Sequence, residues 1–398
     1  MQSRFQSALP SAASAMQVRP LARIPRRPRV TLVTDSPDPS GVGEHMLTLA
    51  ALLQNDVQIS LIFSDSAGGA AMACRGRNAG LDTWSIPVQA LLEGGASLVK
   101  VLQPWHPDLV HVHAGIALEG HAVAAAARAA RVPAVVRTEH LPYTLRTLGR
   151  PALEALYARG VHPVDRIICV CEAARHTFGM ADVDPSRYAV IHNGIMVRKP
   201  IRDRAAVRAQ LDTQGDTLVL TVARFSEQKH HATLIDALPL LLESHPGVQL
   251  LWAGSGPLQA QLGERAAHLG VEAHISFLGR RDDVPDLMAA SDALCAPSCF
   301  EGHPLVILEA MAAGLPVVAA RSLGITEAVR NEETGLLFPF GNAPVLARTL
   351  ATLLEDPDLA ACLRENGRRA IAEEFSALRM ARETLLLYQN VLKEKSLA

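Results

Sequence analysis

The chain has 398 residues, of which 49% are hydrophobic and 20% are charged, and its formal net charge is −2. This length allows two domains with separate hydrophobic cores. The near-neutral charge argues against a nucleic-acid partner, and no run of about 18 uncharged apolar residues predicts a membrane-spanning helix. The six cysteines show no zinc-ligand spacing and are expected to be free thiols in a reducing cytoplasm.

Residues 1–28 contain five arginines and no acidic residue, among many Ser, Ala and Pro residues. Such a segment cannot bury enough apolar surface to fold, so we predict a disordered basic tail. A transit-like peptide and a contact with an anionic membrane are the alternatives.

Strand-like and helix-like stretches alternate over residues 29–196, with strands predicted at 29–34, 57–64, 109–113, 134–139 and 165–171. This repetition predicts a parallel, doubly wound sheet whose ligands bind at the carboxyl ends of the strands. His113 and His140 lie at two such ends, and we predict that both face one crevice. A histidine in this place is often only a structural hydrogen-bonding residue.

A loop at residues 35–43 contains Gly41 and Gly43 and precedes a helix predicted from Glu44. The order of strand, glycine loop and helix is that of a phosphate cradle, although the third glycine of a dinucleotide fingerprint is missing. A tight turn is the alternative. Further on, residues 141–160 interleave arginines with leucines, which predicts a solvated helix face, with an acceptor or membrane surface as the alternative.

Residues 197–215 are charged and begin near a proline, so we predict a linker with a short helix. A second domain at 216–375 then opens with a strand at 217–222. Arg224 and Lys229 follow in one loop, where two cations can address one diphosphate. A solvated charged loop is the alternative. After strands at 248–253 and 274–278, Asp282 and Asp283 are predicted to cap the next helix rather than to bind a metal.

The segment from Ser298 to Asn331 organises the chain. We predict a loop at 300–303, a helix with Pro304 in its first position, and a helix end at Gly314. The helix is apolar on every side and should be buried, so the Glu309 carboxylate requires hydrogen-bond donors.

Glu301 and Glu309 are eight residues apart, which is about 12 Å if the whole segment is helical. Two carboxylates that flank a helix N-terminus suit the hydroxyls and the diphosphate of a nucleotide sugar. The alternative is a buried helix with one capping and one internally satisfied glutamate. Finally, residues 376–398 carry apolar side chains at helical spacing, which predicts a long amphipathic helix.

The pattern Glu301, seven residues, Glu309, Ala-Met-Ala-Ala-Gly-Leu-Pro-Val-Val resembles the signature of the family-4 retaining glycosyltransferases. The Arg224 and Lys229 pair, the glycine loop and the strand end Arg137-Thr-Glu-His140 are also similar, and the resemblance extends over roughly residues 30–395. It implies an α/β protein of GT-B fold, with two Rossmann-like, doubly wound parallel-sheet domains and an interdomain cleft. In that fold the helix at 376–398 returns to the first domain.

The resemblance also implies a function. The chain would move a sugar from a nucleotide-sugar donor, with UDP favoured over GDP, to a glycan, a lipid-linked or a small-molecule acceptor. The anomeric configuration would be retained, without a metal or other cofactor. The expected location is the cytoplasm, with peripheral contact with the inner face of the membrane left open. A GT-B sugar-nucleotide epimerase and a catalytically silent sugar-nucleotide-binding scaffold are the alternatives.

The resemblance assigns site residues as well. Its catalytic set comprises Glu301, His140, Arg224 and Lys229. Its donor-binding set shares three of these and further comprises Gly43, Gly279, Arg280, Gly302, His303, Pro304, Leu305, Val306 and Glu309. Glu301 would hold the sugar hydroxyls, Glu309 the ribose, and His140 the sugar or the phosphate. Family members commonly have two glycines where this chain has Leu323-Gly324.

Overall fold

The computed structural model describes residues 26–93, 95–116, 118–141, 151–179, 181–211 and 217–397. In the first domain, the strands are β1 (Arg29–Val33), β2 (Gln58–Ser64), β3 (Asp82–Ile86), β4 (Leu109–Ala114), β5 (Ala134–Glu139), β6 (Arg166–Cys169) and β7 (Tyr188–Val190). The strands named pair in parallel in the order β3-β2-β1-β4-β5-β6-β7. Most of their residues are apolar and buried, as expected for a parallel sheet covered on both faces.

Helices cover this sheet on both faces and form a separate apolar core on each. They are α1 (Ser40–Leu53), α2 (Ala67–Asn78), α3 (Val88–Glu93), α4 (Ala96–Leu102), α5 (His121–Ala129), α6 (Pro151–Gly160) and α7 (Glu172–Phe178).

The second domain repeats this plan. Its strands are β8 (Thr217–Val222), β9 (Val248–Ala253), β10 (Ile275–Gly279), β11 (Ala293–Ala296), β12 (Val317–Arg321) and β13 (Leu336–Pro339), in the order β10-β9-β8-β11-β12-β13. Its helices are α8 (Arg204–Gln210), α9 (His231–Ser244), α10 (Gln259–His268), α11 (Val284–Ala290), α12 (Leu305–Ala313), α13 (Ile325–Ala328), α14 (Ala343–Glu355) and α15 (Pro357–Glu373). Two apolar cores again flank the sheet.

The strand order places a crevice at an equivalent point in each sheet. The chain first builds outward from β1 through β2 to β3, and then returns to the other side of β1 with β4. The second sheet does the same with β8 and β11. Open parallel sheets bind ligands outside the carboxyl ends of the strands at such topological switch points. The loops after β1 and β4, and after β8 and β11, are therefore the expected ligand-binding loops.

The C-terminal helix α16 (Ala377–Leu397) packs on the first domain, against α1 and β5. Tyr388 is buried within a first-domain core, and its hydroxyl lies 2.6 Å from Nδ1 of His111. At the start of the helix, Ser376 forms a parallel bridge with Ile195. The helix thus joins the end of the second domain to the first.

The short helix predicted within the linker at 197–215 is present as α8, but this helix packs on the second domain rather than lying between the two domains. Helix α8 packs against α11, and the side chains of Val207 and Leu211 are buried in a second-domain core. Arg208 fixes this packing through Nη2, which lies 2.6 Å from Oδ2 of Asp292. Residues 212–216 lie outside the described residues.

The predicted basic tail also needs a correction at its end. Arg26 forms an ion pair with Asp108 at 2.8 Å, and Arg27 donates to two main-chain carbonyls that follow α1. The first domain therefore holds the chain from Arg26 onward, while residues 1–25 lie outside the described part.

The basic segment at 141–160 is described only from residue 151, apart from Leu141. Within α6, Tyr157 is fully buried and its hydroxyl donates to Oε1 of Glu139 at 2.9 Å, whereas Leu156 is 39% exposed. The helix thus uses one face for the domain core. Among the helices of the described residues, none has the length and hydropathy needed to cross a membrane.

Candidate functional site

The loops after β8 and β11 meet at the switch point of the second sheet. Lys229, from the first loop, extends Nζ to within 2.5 Å of Oε1 of Glu301, from the second. The lysine side chain is 22% exposed and the glutamate side chain 9%, so solvent screens this ion pair only partly. A small pocket adjoins the pair, lined by Thr221, Val222, Ala223, Lys229, Leu294, Cys295, Ala296, Pro297, Ser298, Glu301, Pro304, Val306 and Ile307.

The loop that carries Glu301 fits closely between two neighbours. A Cβ on Gly302 would lie 1.9 Å from the carbonyl oxygen of His140, in the first domain. Gly324, with φ +76°, approaches the loop from the other side, where a Cβ would lie 1.9 Å from the carbonyl oxygen of Gly302. The main chain of Glu301 donates to the Leu323 carbonyl at 2.9 Å. Position 324 therefore needs glycine, whereas Leu323 is compatible with this geometry.

Helix α12 begins at Leu305, one residue later than predicted, so Pro304 is its N-cap. The helix ends at Gly314 in the left-handed conformation, with φ +70°, as the sequence pattern predicted. Because residues 301–304 are not helical, the estimate of about 12 Å between the two glutamates fails: only the step from Leu305 to Glu309 has helical rise. Leu305 and Val306 are half-buried in the first turn.

Glu309 differs from its prediction. Its side chain is half-buried, and in the part of the chain that the structure describes it has no side-chain hydrogen bond, whereas the apolar sequence around it predicts donors. Burial instead raises the pKa of the Glu309 carboxyl to about 7, and the nearby charge of Glu44 adds to this effect while Arg198 opposes it. Desolvation disfavours the charged form of the carboxyl, so the group holds its proton more tightly.

We expect Glu309→Gln to stabilise the protein at pH 8, by about 1–2 kcal/mol, and to have little effect on stability at pH 5. The folded-state pKa is raised, so the folded protein holds a proton that the unfolded chain releases, and stability is lost as the pH rises toward and through about 7. Urea unfolding at both pH values measures this. Glu264→Gln, at an exposed position of α10, is the control. Equal destabilisation by Glu309→Gln at both pH values would contradict the assignment.

Arg224 and Lys229 have different partners in the structure, so the predicted clamp is not assembled around one point. Arg224 is more than half exposed, and its Nη1 lies 3.4 Å from Oδ2 of Asp38, in the loop after β1. The arginine thus spans the cleft between the two switch points. A joint approach of both cations to a diphosphate stays a prediction.

His140 lies in a buried histidine cluster in the first domain. Its Nε2 is 3.2 Å from Nδ1 of His113, and its ring centroid is 4.8 Å from that of His45. Burial lowers the pKa of all three imidazoles, that of His45 to about 4, so all three are neutral at pH 7. Their ligand atoms lie within 4.8 Å of one another, so this cluster is a place where a metal ion could bind. The predicted absence of a metal stays a prediction.

Asn193 is a site residue that the sequence analysis did not identify. Its Nδ2 donates to the carbonyl of His303 at 2.7 Å, and its Oδ1 lies 3.0 Å from Nδ1 of His45. Asn193 thus links α1 to the loop before α12. The His303 ring packs against Phe375, with centroids 4.9 Å apart, and the predicted donor contact of His303 stays a prediction. The available signal was an Asn-Gly pair that begins three residues after a short strand.

Glu327 was likewise given no role, and it connects the domains. Its two carboxylate oxygens accept from the main-chain N–H groups of Glu172 and Ala173, at 2.7 and 2.8 Å. N–H groups in the first turn of a helix have no partner within the helix, and a carboxylate at this end is favoured by the helix dipole. Oε2 also lies 3.1 Å from Nε2 of His192. Glu327 therefore fixes a helix of the first domain from the second domain.

The remaining predicted residues lie outside this centre. Gly43 is inside α1, which begins four residues earlier than predicted, and a Cβ there would lie 2.8 Å from Cγ of Met72. The glycine therefore has a packing role, and its donor contact stays a prediction. Gly279 is the last residue of β10, at the edge of the second sheet, and the exposed Arg280 follows it.

The predicted capping role of Asp282 and Asp283 is wrong. Asp283 occupies the N-cap position of α11 without a side-chain cap. Its carboxylate instead accepts from Nη2 of Arg281 at 2.6 Å, and from Arg202.

Family models match both domains. Residues 39–199 match the model described as Glycosyltransferase Family 4, and residues 203–370 match the model described as Glycosyl transferases group 1. The boundary between the two matches lies ahead of α8, in agreement with the packing of that helix on the second domain.

Curated relatives are glycosyltransferases. LpsE of Rhizobium meliloti (strain 1021), a lipopolysaccharide core biosynthesis glycosyltransferase, is 37% identical over 173 residues, 43% of this chain and 50% of that protein. The chain thus spans about half the length of that relative. The UDP-Gal:α-D-GlcNAc-diphosphoundecaprenol α-1,3-galactosyltransferase of Escherichia coli is 27% identical over 75% of this chain and 79% of its own length. The N-acetyl-α-D-glucosaminyl L-malate synthase of Bacillus anthracis is 26% identical, with the same two coverages.

Solved structures share the two-domain fold. HepE of Anabaena in complex with UDP is 25% identical, with a TM-score of 0.77 over 91% of this chain and 100% of that chain. Sucrose-phosphate synthase of Thermosynechococcus elongatus has a TM-score of 0.74 at 21% identity, over 92% of this chain and 100% of that chain. The predicted GT-B architecture is confirmed. With family models matching both domains, the protein belongs to the family-4, group 1 glycosyltransferases.

Proposed function

We propose that the protein transfers a hexose from a nucleotide sugar, with UDP as the favoured nucleotide, to a hydroxyl of a glycan, a lipid-linked sugar or a small molecule, with retention of the anomeric configuration. The observation that carries the proposal is the meeting of Lys229, Glu301 and the N-terminus of α12 at the switch point of the second sheet. The UDP complex of HepE and the UDP-sugar named for the E. coli relative support UDP.

Positive charge is available where a diphosphate leaving group would develop negative charge. Lys229 supplies an ammonium, Arg224 a guanidinium at the cleft, and α12 the unpaired N–H groups and positive dipole end of its first turn. Groups that are already in position when charge develops are usually the largest contribution to catalysis. His140 is neutral, so its proposed part is a hydrogen bond to the donor sugar or phosphate.

The two other functions make different demands on the site. A sugar-nucleotide epimerase would convert its substrate without an acceptor. A silent scaffold would bind a nucleotide sugar without consuming it, and would have no need to retain the ion-paired Lys229 and Glu301 beside the pocket. A lipid-linked acceptor would further require the protein to approach a membrane surface.

A thermal-shift screen of nucleotide sugars tests donor binding first. A ligand at 100 times its Kd stabilises the folded state by about 2.7 kcal/mol, which raises Tm by several degrees in a domain-sized protein. We expect one UDP-sugar to raise Tm and to be consumed only when an acceptor is added, apart from slow hydrolysis. Consumption to an isomeric nucleotide sugar without acceptor would favour the epimerase, and binding without consumption the scaffold.

We expect transfer to survive EDTA unchanged, because the proposed charge stabilisation uses Lys229, Arg224 and the end of α12 rather than a cation. Initial rates before and after chelation and desalting measure this. The cluster of His45, His113 and His140 makes the test specific: a rate that falls with EDTA and returns with Zn²⁺, Mg²⁺ or Mn²⁺ would contradict metal independence.

A further inference from the structure

The switch point of the first sheet carries a carboxylate to which the proposed donor site gives no role. Asp35 follows β1 in the loop to α1 and is 7% exposed. Its Oδ2 accepts from the main-chain N–H of Gly120, which follows β4, at 2.7 Å. Asp35 therefore bridges the two loops at the place where the strand order reverses.

The other oxygen of this carboxylate is unsatisfied. Oδ1 of Asp35 is buried and has no hydrogen-bond partner. A buried polar atom without a partner is rare and destabilising, so a partner from outside the chain is the natural explanation at a ligand-binding edge. A carboxylate oxygen only accepts hydrogen bonds, so the missing partner is a donor such as a hydroxyl.

A second carboxylate makes the surroundings of Asp35 unfavourable to anions. Glu119 accepts from the main-chain N–H groups of Gly115 and Ile116 at 2.6 and 3.2 Å, which fixes the loop after β4. Burial raises the pKa of both Asp35 and Glu119. Arg137 is the cation whose charge acts on Asp35, and it is held by the Glu139 carboxylate and the Glu119 carbonyl. An anionic ligand group here would meet like charge at short range.

This crevice opens toward the proposed donor site. In the same loop as Asp35, Asp38 lies 3.4 Å from Arg224 of the second domain. Strands β4 and β5 end nearby at Ala114 and Glu139, followed by His140, whose carbonyl oxygen contacts Gly302 beside Glu301. The two switch points therefore face each other across the cleft.

We propose that Asp35 Oδ1 accepts a hydrogen bond from a hydroxyl of the glycosyl acceptor, and that the acceptor presents an uncharged sugar there rather than a carboxylate or a phosphate. The inference rests on the proposed function, because it places the second substrate of that reaction. Asp35 thus binds the acceptor, while Glu119 positions the loop beside it. A lipid-linked sugar and a free oligosaccharide share this chemistry.

Asp35→Asn is the sharpest variant. The Asn carbonyl oxygen can keep the bond from Gly120, while its NH₂ group, a donor, replaces the accepting Oδ1. With the nucleotide sugar selected by the thermal-shift screen, we expect octyl α-D-N-acetylglucosaminide or octyl β-D-glucoside to be glycosylated by the wild type, and L-malate not. In Asp35→Asn the acceptor KM should rise at least tenfold, while a rise in Tm on adding the nucleotide sugar shows that the variant is folded and still binds the donor.

Asp56→Asn removes an exposed carboxylate after α1, at the opposite edge of the same domain, and should behave as the wild type. An unchanged acceptor KM in Asp35→Asn, glycosylation of L-malate by the wild type, or failure of both neutral glycosides while the donor is hydrolysed would each overturn the inference and leave the proposed function standing. A wild type that neither binds nor consumes any nucleotide sugar would instead refute the proposed function.

Discussion

Glu301→Gln is expected to lower kcat about 100-fold or more, to change donor KM little, and to leave UDP bound at least as tightly as in the wild type. The proposed sugar contact explains the first part, because a group that touches the reacting sugar acts mainly in the transition state. The ion pair with Lys229 explains why UDP binding should not weaken. Glu301 neutralises that ammonium at 2.5 Å, so removing the carboxylate charge leaves Lys229 freer to meet a diphosphate.

Steady-state kinetics with the selected donor and calorimetric titration of UDP measure the two effects separately. Glu264→Gln, an exposed change of the same chemistry in α10, should alter neither. A strong loss of UDP affinity with kcat preserved would mean that Glu301 anchors the nucleotide, and would reverse its assignment.

Arg224→Ala should reduce kcat/KM about 100-fold, in line with the loss of one positioned charge at a developing anion. Its ion pair with Asp38 does not predict a loss of stability, since both side chains are about half exposed and such pairs contribute little to folding. UDP affinity should fall together with the rate, because a guanidinium that binds the diphosphate contributes in both states.

Arg348→Ala removes an exposed arginine of α14 and is the matched control. Thermal unfolding of both variants should resemble that of the wild type. If Arg224→Ala leaves both transfer and UDP affinity intact, the arginine does not belong to the donor site. Its role would then be limited to the ion pair with Asp38.

Local signals predicted the architecture and the organising segment well. Buried parallel strands are short apolar runs, and Gly314 with Pro316 marks the end of α12, so the sequence alone indicated both. The first residue of that helix was harder to predict from the sequence. Pro304 is compatible with both the N-cap and the first helical position, so the helix start was misplaced by one residue. The estimate of about 12 Å from Glu301 to Glu309 failed for another reason, because it treated the whole segment, including the loop before Pro304, as helix.

Contacts between segments that are far apart in the chain could not be predicted from the sequence. Glu327 caps α7 by accepting from the main-chain N–H of Glu172, which lies 155 residues earlier in the chain. The hydrogen bond from Asn193 to the His303 carbonyl joins residues that are 110 positions apart. The ion pair of Lys229 with Glu301 depends on two loops meeting at a switch point, which follows only from strand order. The sequence also predicts hydrogen-bond donors around the Glu309 carboxylate, because it lies in an apolar helix. In the structure, burial raises the pKa of this carboxyl instead.

The measurement that tests the central claim most directly is NMR of the product formed by the wild-type protein from the selected nucleotide sugar and a neutral glycoside. We predict a new glycosidic bond whose anomeric configuration is that of the donor from the earliest time points, with UDP released in equal amount. An inverted product would contradict the proposed retaining transfer. An isomerised nucleotide sugar with the glycoside unchanged would contradict transfer itself.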